Sequence, residues 1–185
     1  MENLTTYQKQ VIQFNKVIEA INTGVLKQCD GLMVKEPTIP IIKHYLTFAY
    51  QDEYGTNWFF ITMASIGFVK LMDEDELFEL ALKYDFTLEE HIPFEGSELE
   101  REQAFERGMA ALGKSYKWVG ANCENLMNYI QTGVSKSNQV RNTATGAGLV
   151  GALMATSKNK NTKYVGYGLL AVGVVGWIVD LFSDF

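Results

Sequence analysis

Apolar residues recur with the period of an α-helix near the start of the chain. Residues 5 to 27 carry Val11, Phe14 and Ile21 on this period, with Gln, Lys and Glu between them. The spacing predicts an amphipathic helix that ends near Gly24. This helix, within a segment 1–28, either packs on its own domain or binds a protein partner or membrane surface. The first is favoured because its polar face is not rich in Lys and Arg.

Short β-rich runs follow from Gly31 onward. Strands are predicted at 32–34, 41–50, 57–64, 66–72 and 86–92, with a loop holding Pro37 and Pro40 after the first. Helices are predicted from the acidic run at 73–76 to about Lys83, and again from Ser97. The mixture is typical of an α+β domain.

The stretch from 112 to 126 carries a different signal. Gly113 marks the end of one helix, a short extended segment follows, and a second helix is predicted to open at Ala121 or Asn122. Asn is a preferred N-cap, so Cys123 falls in the first turn, where free N–H groups and the helix dipole favour a thiolate. The alternative is that Cys123 is a small buried hydrophobe, and its placement alone does not choose between them.

The composition shifts to Gly and apolar residues in the segment 142–185. Two apolar stretches flank a basic spacer at 157–163, and the second, 164–179, is uncharged. A membrane-spanning helix needs about 20 apolar residues, so the second stretch is slightly short and the first too short. Many small residues would let helices approach closely in a membrane, and glycines make a poor helix in water. We predict a membrane-associated C-terminal segment, with a buried helical hairpin of a soluble protein as the alternative.

Charge and cysteine content narrow the classes of function. The chain has 185 residues and a formal charge of −6, which argues against nucleic-acid binding. Its two cysteines, Cys29 and Cys123, provide neither a disulfide framework nor a CxxC metal spacing. The polar N-terminus lacks a signal-peptide pattern, so the main domain is predicted to be cytoplasmic.

A nucleophilic cysteine needs a base, and the chain has two histidines. His44 lies on the second predicted strand and shares a sheet face with Leu46 and Phe48 by alternation. His91 follows two acidic residues in a more solvated context. A histidine on an apolar strand face is more often a satisfied core group than a catalyst.

Several short motifs together resemble the lecithin:retinol acyltransferase-like family of thiol enzymes, which includes small phospholipase/acyltransferases. The resemblance covers about residues 29–141. It is carried by His44-Tyr45, Leu112-Gly113, Tyr116-Lys117, Asn122-Cys123-Glu124, Gly133 and Ser137-Asn138-Gln139-Val140. It departs from the family at the next strand, where Thr62 is the nearest polar residue in place of a second histidine, and at Asn125, where the family has histidine.

The resemblance implies a circularly permuted papain-like (NlpC-type) fold and a membrane-anchored thiol acyltransferase or phospholipase acting on lipid acyl chains. Cys123 would be the nucleophile, His44 the general base and acid, and Thr62 the third member. For Asn122 an N-cap role is favoured over an oxyanion role, and for Glu124 a structural role. No metal or cofactor is implied, and membrane lipids are both substrate and anchor. The alternatives are a peptidase or amidase of the same fold, and a catalytically inactive membrane-interaction protein.

Overall fold

A computed structural model describes residues 4–37, 43–117 and 122–181, and within this part of the chain six helices accompany a five-stranded sheet. The elements in chain order are α1 (Thr6–Asn22), β1 (Gly31–Lys35), β2 (Lys43–Gln51), β3 (Asn57–Ile61), β4 (Lys70–Asp73), α2 (Glu74–Tyr84), β5 (Thr87–Ile92), α3 (Glu98–Ala111), α4 (Cys123–Thr132), α5 (Asn138–Ala155) and α6 (Lys160–Leu181). The loop around Pro40, the predicted strand start at 41, residues 118–121 and the end of the tail lie outside the described residues. The predicted α+β class is confirmed.

The sheet is antiparallel throughout, with strand order β4-β3-β2-β1-β5. The fourth predicted strand starts later than expected. Ile66 and Gly67 instead form a turn, because both of their backbone N–H groups donate to Met63 O. Gly67 has a φ of +84°, a conformation that suits glycine.

Helices cover both faces of the sheet. α1 and α2 pack on one face over a core that includes Leu46, Phe48 and Phe86, so α1 packs on its own domain, the favoured alternative. α3 and α4 pack on the other face, around Phe60 and Ile130. Because side chains alternate along a strand, β2, β3 and β4 each contribute to both cores.

Asp30 joins several of these elements at one buried point. Its carboxylate accepts hydrogen bonds from the backbone N–H groups of Phe94 (2.9 Å) and Lys27 (3.0 Å), and pairs with Arg101 (3.1 Å) and His91 (2.8 Å). Burial opposes its ionisation, but these hydrogen bonds outweigh burial and hold the pKa of Asp30 below its usual value.

The Gly-rich tail folds into a helical hairpin, in which α5 and α6 pack mainly on each other. The seam between them is made of glycines: a Cβ at Gly151 would lie 2.5 Å from Leu170 N, and one at Gly166 would lie 2.4 Å from Ala155 N. Trp177 Nε1 donates to Thr145 Oγ1 across the pair at 3.0 Å. Among the described residues, no helix combines the length and apolar character needed to cross a membrane.

Candidate thiol site

Asn122 and Cys123 open α4 as predicted. Asn122 is the N-cap: its side chain accepts from Asn125 N at 3.0 Å, while the Asn125 side chain accepts from Asn122 N at 3.3 Å. This reciprocal capping box satisfies two backbone donors at the helix start. Cys123 is therefore the first residue of the helix, and the N-cap role of Asn122 is confirmed.

The thiol of Cys123 is buried between α4 and the sheet. Only 6% of the residue is exposed, and it packs with Met33, Tyr45 and Met127. Its Sγ lies 3.8 Å from Lys43 O. Burial, as the largest cause, and the adjacent Glu124 carboxylate together raise the pKa of Cys123 to about 11, against the opposing effect of a backbone hydrogen bond at Tyr45. Desolvation is the largest of these effects, so the neutral thiol is favoured over the thiolate near neutral pH.

The structure does not bring His44 to Cys123. Tyr45 packs against Cys123, so the neighbouring His44 points to the opposite face of the sheet. There its ring lies 5.3 Å from that of Phe86, and its Nε2 is 3.7 Å from the Glu36 carboxylate. Burial lowers the pKa of His44 below its ordinary value, and Glu36 opposes that shift. The predicted sheet face of His44, shared with Leu46 and Phe48, is the one observed, and it is the wrong face for a partner of Cys123.

The other polar candidates, Thr62 and His91, are hydrogen-bonded neither to His44 nor to Cys123. Thr62 is buried just after β3, and within the described part of the chain its hydroxyl has no hydrogen-bond partner, so it does not orient His44. His91 pairs with Asp30 at 2.8 Å and takes part in the buried junction of the fold.

Glu124 connects the thiol site to the start of the hairpin. Its buried carboxylate accepts a 2.5 Å hydrogen bond from Ser137 Oγ, and Ser137 O accepts from Arg141 N in the first turn of α5. This hydrogen bond explains how an acidic side chain can be buried next to the cysteine, and it agrees with the structural role that the sequence favours for Glu124.

Two tyrosines near the thiol, Tyr45 and Tyr116, belong to the motifs of the resemblance, but the sequence offers no reason to assign them a role at the site. Burial raises the pKa of Tyr45, and the charges of Glu124 and Cys123 add to this shift. Burial also raises the pKa of Tyr116, to about 12, again with a contribution from Cys123. The alternation along β2 was a usable signal, because Tyr45, Thr47 and Ala49 share the face that α4 covers. Tyr116 is held by the segment after α3, where its N–H donates to Gly67 O at 2.8 Å.

Besides the Glu124 carboxylate, which accepts a hydrogen bond from Ser137 Oγ, the described side chains around Cys123 offer a neutral thiol and two neutral phenols. Phenols donate hydrogen bonds, so they could stabilise a developing oxyanion, but neither one is a base near neutral pH. A reaction at Cys123 would need the thiol proton to leave by another route.

Comparison with protein-family models and with curated proteins found no match to this chain. The resemblance to the lecithin:retinol acyltransferase-like enzymes therefore rests on its short motifs, and family membership stays a prediction.

Proposed function

We propose that this protein attaches to lipid bilayers through the α5–α6 hairpin and holds its α+β domain at the membrane surface. One observation carries the proposal: the hairpin has glycines inside and large apolar side chains outside. Exposed positions include Leu153, Val165, Val172 and Val175, all more than half exposed.

This arrangement is the reverse of a water-soluble hairpin, which buries its large apolar side chains in the seam. Association in water is driven by such burial, whereas helices in lipid associate through close backbone packing of small residues. The Gly151–Leu170 and Gly166–Ala155 approaches are of the second kind. Lipid is therefore the environment in which this hairpin is best solvated.

The angular spread of the exposed residues favours lipid over a protein partner. From Tyr164 to Ile178, the large apolar side chains of α6 that are exposed occupy about 240° of the helix circumference, at 100° per residue. A single protein partner covers one stripe of a helix, whereas lipid contacts every outward position. The proposal requires the hairpin to enter the lipid layer, and it does not require either helix to cross it.

Vesicle co-sedimentation of the full chain tests this proposal. We expect the wild type to sediment with phosphatidylcholine vesicles and a Leu153→Glu/Val172→Glu/Val175→Glu variant to stay in the supernatant. Val25→Glu, at an exposed apolar position of the domain, is the matched control and should bind like the wild type. Circular dichroism checks that the variant keeps its helices. Absence of wild-type binding both to these vesicles and to vesicles that also contain anionic lipid, or unchanged binding of the folded triple variant, would refute the proposal.

A second candidate is thiol acyl transfer at Cys123, in line with the motif resemblance. One observation favours it: Cys123 is the first residue of a capped helix that packs against the sheet. The sulfur would attack the ester carbonyl of a lipid, the alcohol would leave with the thiol proton, and water or an acceptor amine or hydroxyl would release the acyl group.

Lysolipid release from phosphatidylcholine vesicles tests the second candidate. It requires release by the wild type and by Cys29→Ala, and none by Cys123→Ala. His44→Gln decides the role of the histidine: retained release agrees with its position on the other face of the sheet. Lost release in a folded variant would mean that a rearrangement brings His44 to the thiol. No release by the wild type would leave membrane attachment as the function.

A further inference from the structure

The connection between α5 and α6 carries a cluster of positive charge. Lys158, Lys160 and Lys163 are exposed, and they are the only charged residues between positions 142 and 179. The cluster therefore stands alone on an otherwise uncharged hairpin. The apolar surface of the hairpin does not account for this charge, so the lysines need a separate explanation.

The stability of α6 does not explain these lysines. Asn159 already satisfies the start of the helix, because its Oδ1 accepts from the backbone N–H groups of Asn161 (2.9 Å) and Thr162 (3.4 Å). Lys160 and Lys163 lie in the first turn of α6, where the helix dipole disfavours positive charge. Residues that cost the helix some stability at an exposed place are candidates for binding.

The neighbours of the lysines are those found at the boundary between lipid and water. Tyr164 and Tyr167 are exposed one and four positions after Lys163, and Lys163 Nζ lies 5.9 Å from the centre of the Tyr167 ring. Tyrosine and lysine both place an apolar body among lipids and a polar tip among headgroups.

The rest of the chain has the opposite charge. Residues from 138 to the end hold four of the 16 basic and two of the 22 acidic residues, so the preceding part carries a formal charge of −8. The 18 residues of α5 separate the lysines from the acidic domain by about 27 Å along the helix. This exceeds the Debye length of about 8 Å at physiological salt, so the domain does not cancel the attraction of the lysines for an anionic surface.

We propose that the lysine cluster binds the anionic headgroups of phospholipids, so that the hairpin selects negatively charged membranes. This inference rests on the proposed membrane attachment and adds the lipid class that it prefers. Each lysine near an anionic surface contributes about fivefold in affinity, so three give a combined effect of about tenfold or more even when partly screened.

The experiment compares binding of the full chain to two kinds of vesicle, phosphatidylcholine alone and a mixture with about one-third phosphatidylglycerol. We expect the wild type to bind the mixed vesicles at least about tenfold more tightly, and this preference to fade at high salt. A Lys158→Gln/Lys160→Gln/Lys163→Gln variant should bind both kinds equally. The matched control removes three exposed lysines of the N-terminal region, Lys9→Gln/Lys16→Gln/Lys27→Gln, and should keep the preference.

The outcomes separate this inference from the one on which it rests. Equal wild-type binding to both vesicles, or a preference that survives in the hairpin variant, overturns the headgroup site and leaves membrane attachment standing. Failure of the wild type to bind either vesicle refutes both.

Discussion

The reactivity of Cys123 gives a quantitative check on the thiol site. Burial raises the pKa of its thiol from 9.0 to about 11, so near neutral pH its thiolate fraction is about 100-fold lower than that of an exposed cysteine. The higher pKa makes each remaining thiolate more nucleophilic, which recovers about tenfold. Ionisation alone therefore predicts alkylation about tenfold slower than at an exposed thiol, and burial of the sulfur slows it further.

Iodoacetamide kinetics followed by mass spectrometry measure this rate for each cysteine separately. Cys29→Ala leaves Cys123 as the only thiol, and Cys123→Ala leaves Cys29, whose pKa burial raises to about 12. Because the thiolate is the reactive form, the rate at Cys123 should rise about tenfold per pH unit. It should keep rising past 9.0 instead of levelling off there.

Unfolding in guanidinium provides the control, since both cysteines should then react at the rate of a free thiol. The reasoning is wrong if folded Cys123 is alkylated as fast as free cysteine and the rate is independent of pH above neutrality. That result would mean that the helix dipole prevails over desolvation, and it would favour the activated nucleophile that the family resemblance implies.

Two further predictions concern the hairpin and the Asp30 junction. Gly166→Ala should weaken helix pairing, because the added Cβ would meet the backbone of α5. Gly168→Ala, whose added Cβ has nothing within 4 Å, should instead raise helicity. Thermal unfolding of the two variants in vesicles, followed by circular dichroism, compares them. A loss of pairing in both variants, or in neither, contradicts the glycine seam. Asp30→Asn should lower the free energy of unfolding by about 3 kcal/mol at neutral pH. Because folding lowers the pKa of Asp30, its contribution is present above the ordinary value of 3.8 and is lost as the pH falls below it. Urea unfolding at a series of pH values should therefore show that the difference in unfolding free energy between the wild type and Asp30→Asn shrinks in acid. A difference that does not depend on pH would contradict this account.

Much of the local structure was predictable from neighbouring residues. The N-cap at Asn122 and the end of α4 at Gly133, with a φ of +75°, follow from preferences that act within one helical turn. The sheet face of His44 follows from alternation along a strand and is also confirmed. The tendency of the tail to form closely approaching helices was visible in its small residues.

The sequence by itself thus determined most of the helices and strands, the caps and the faces, because periodicity and capping depend on residues a few positions apart; the start of β4 is the exception, since the turn at Ile66 and Gly67 replaces its first predicted residues. Only the tertiary structure decided which helix covers which face of the sheet. Since α4 lies on the face of Tyr45 and α1 and α2 lie on that of His44, the cysteine and the histidine are separated by the sheet. The ionisation of Cys123 was likewise decided by packing. Desolvation depends on every side chain that excludes water from the sulfur, and those side chains come from distant parts of the chain.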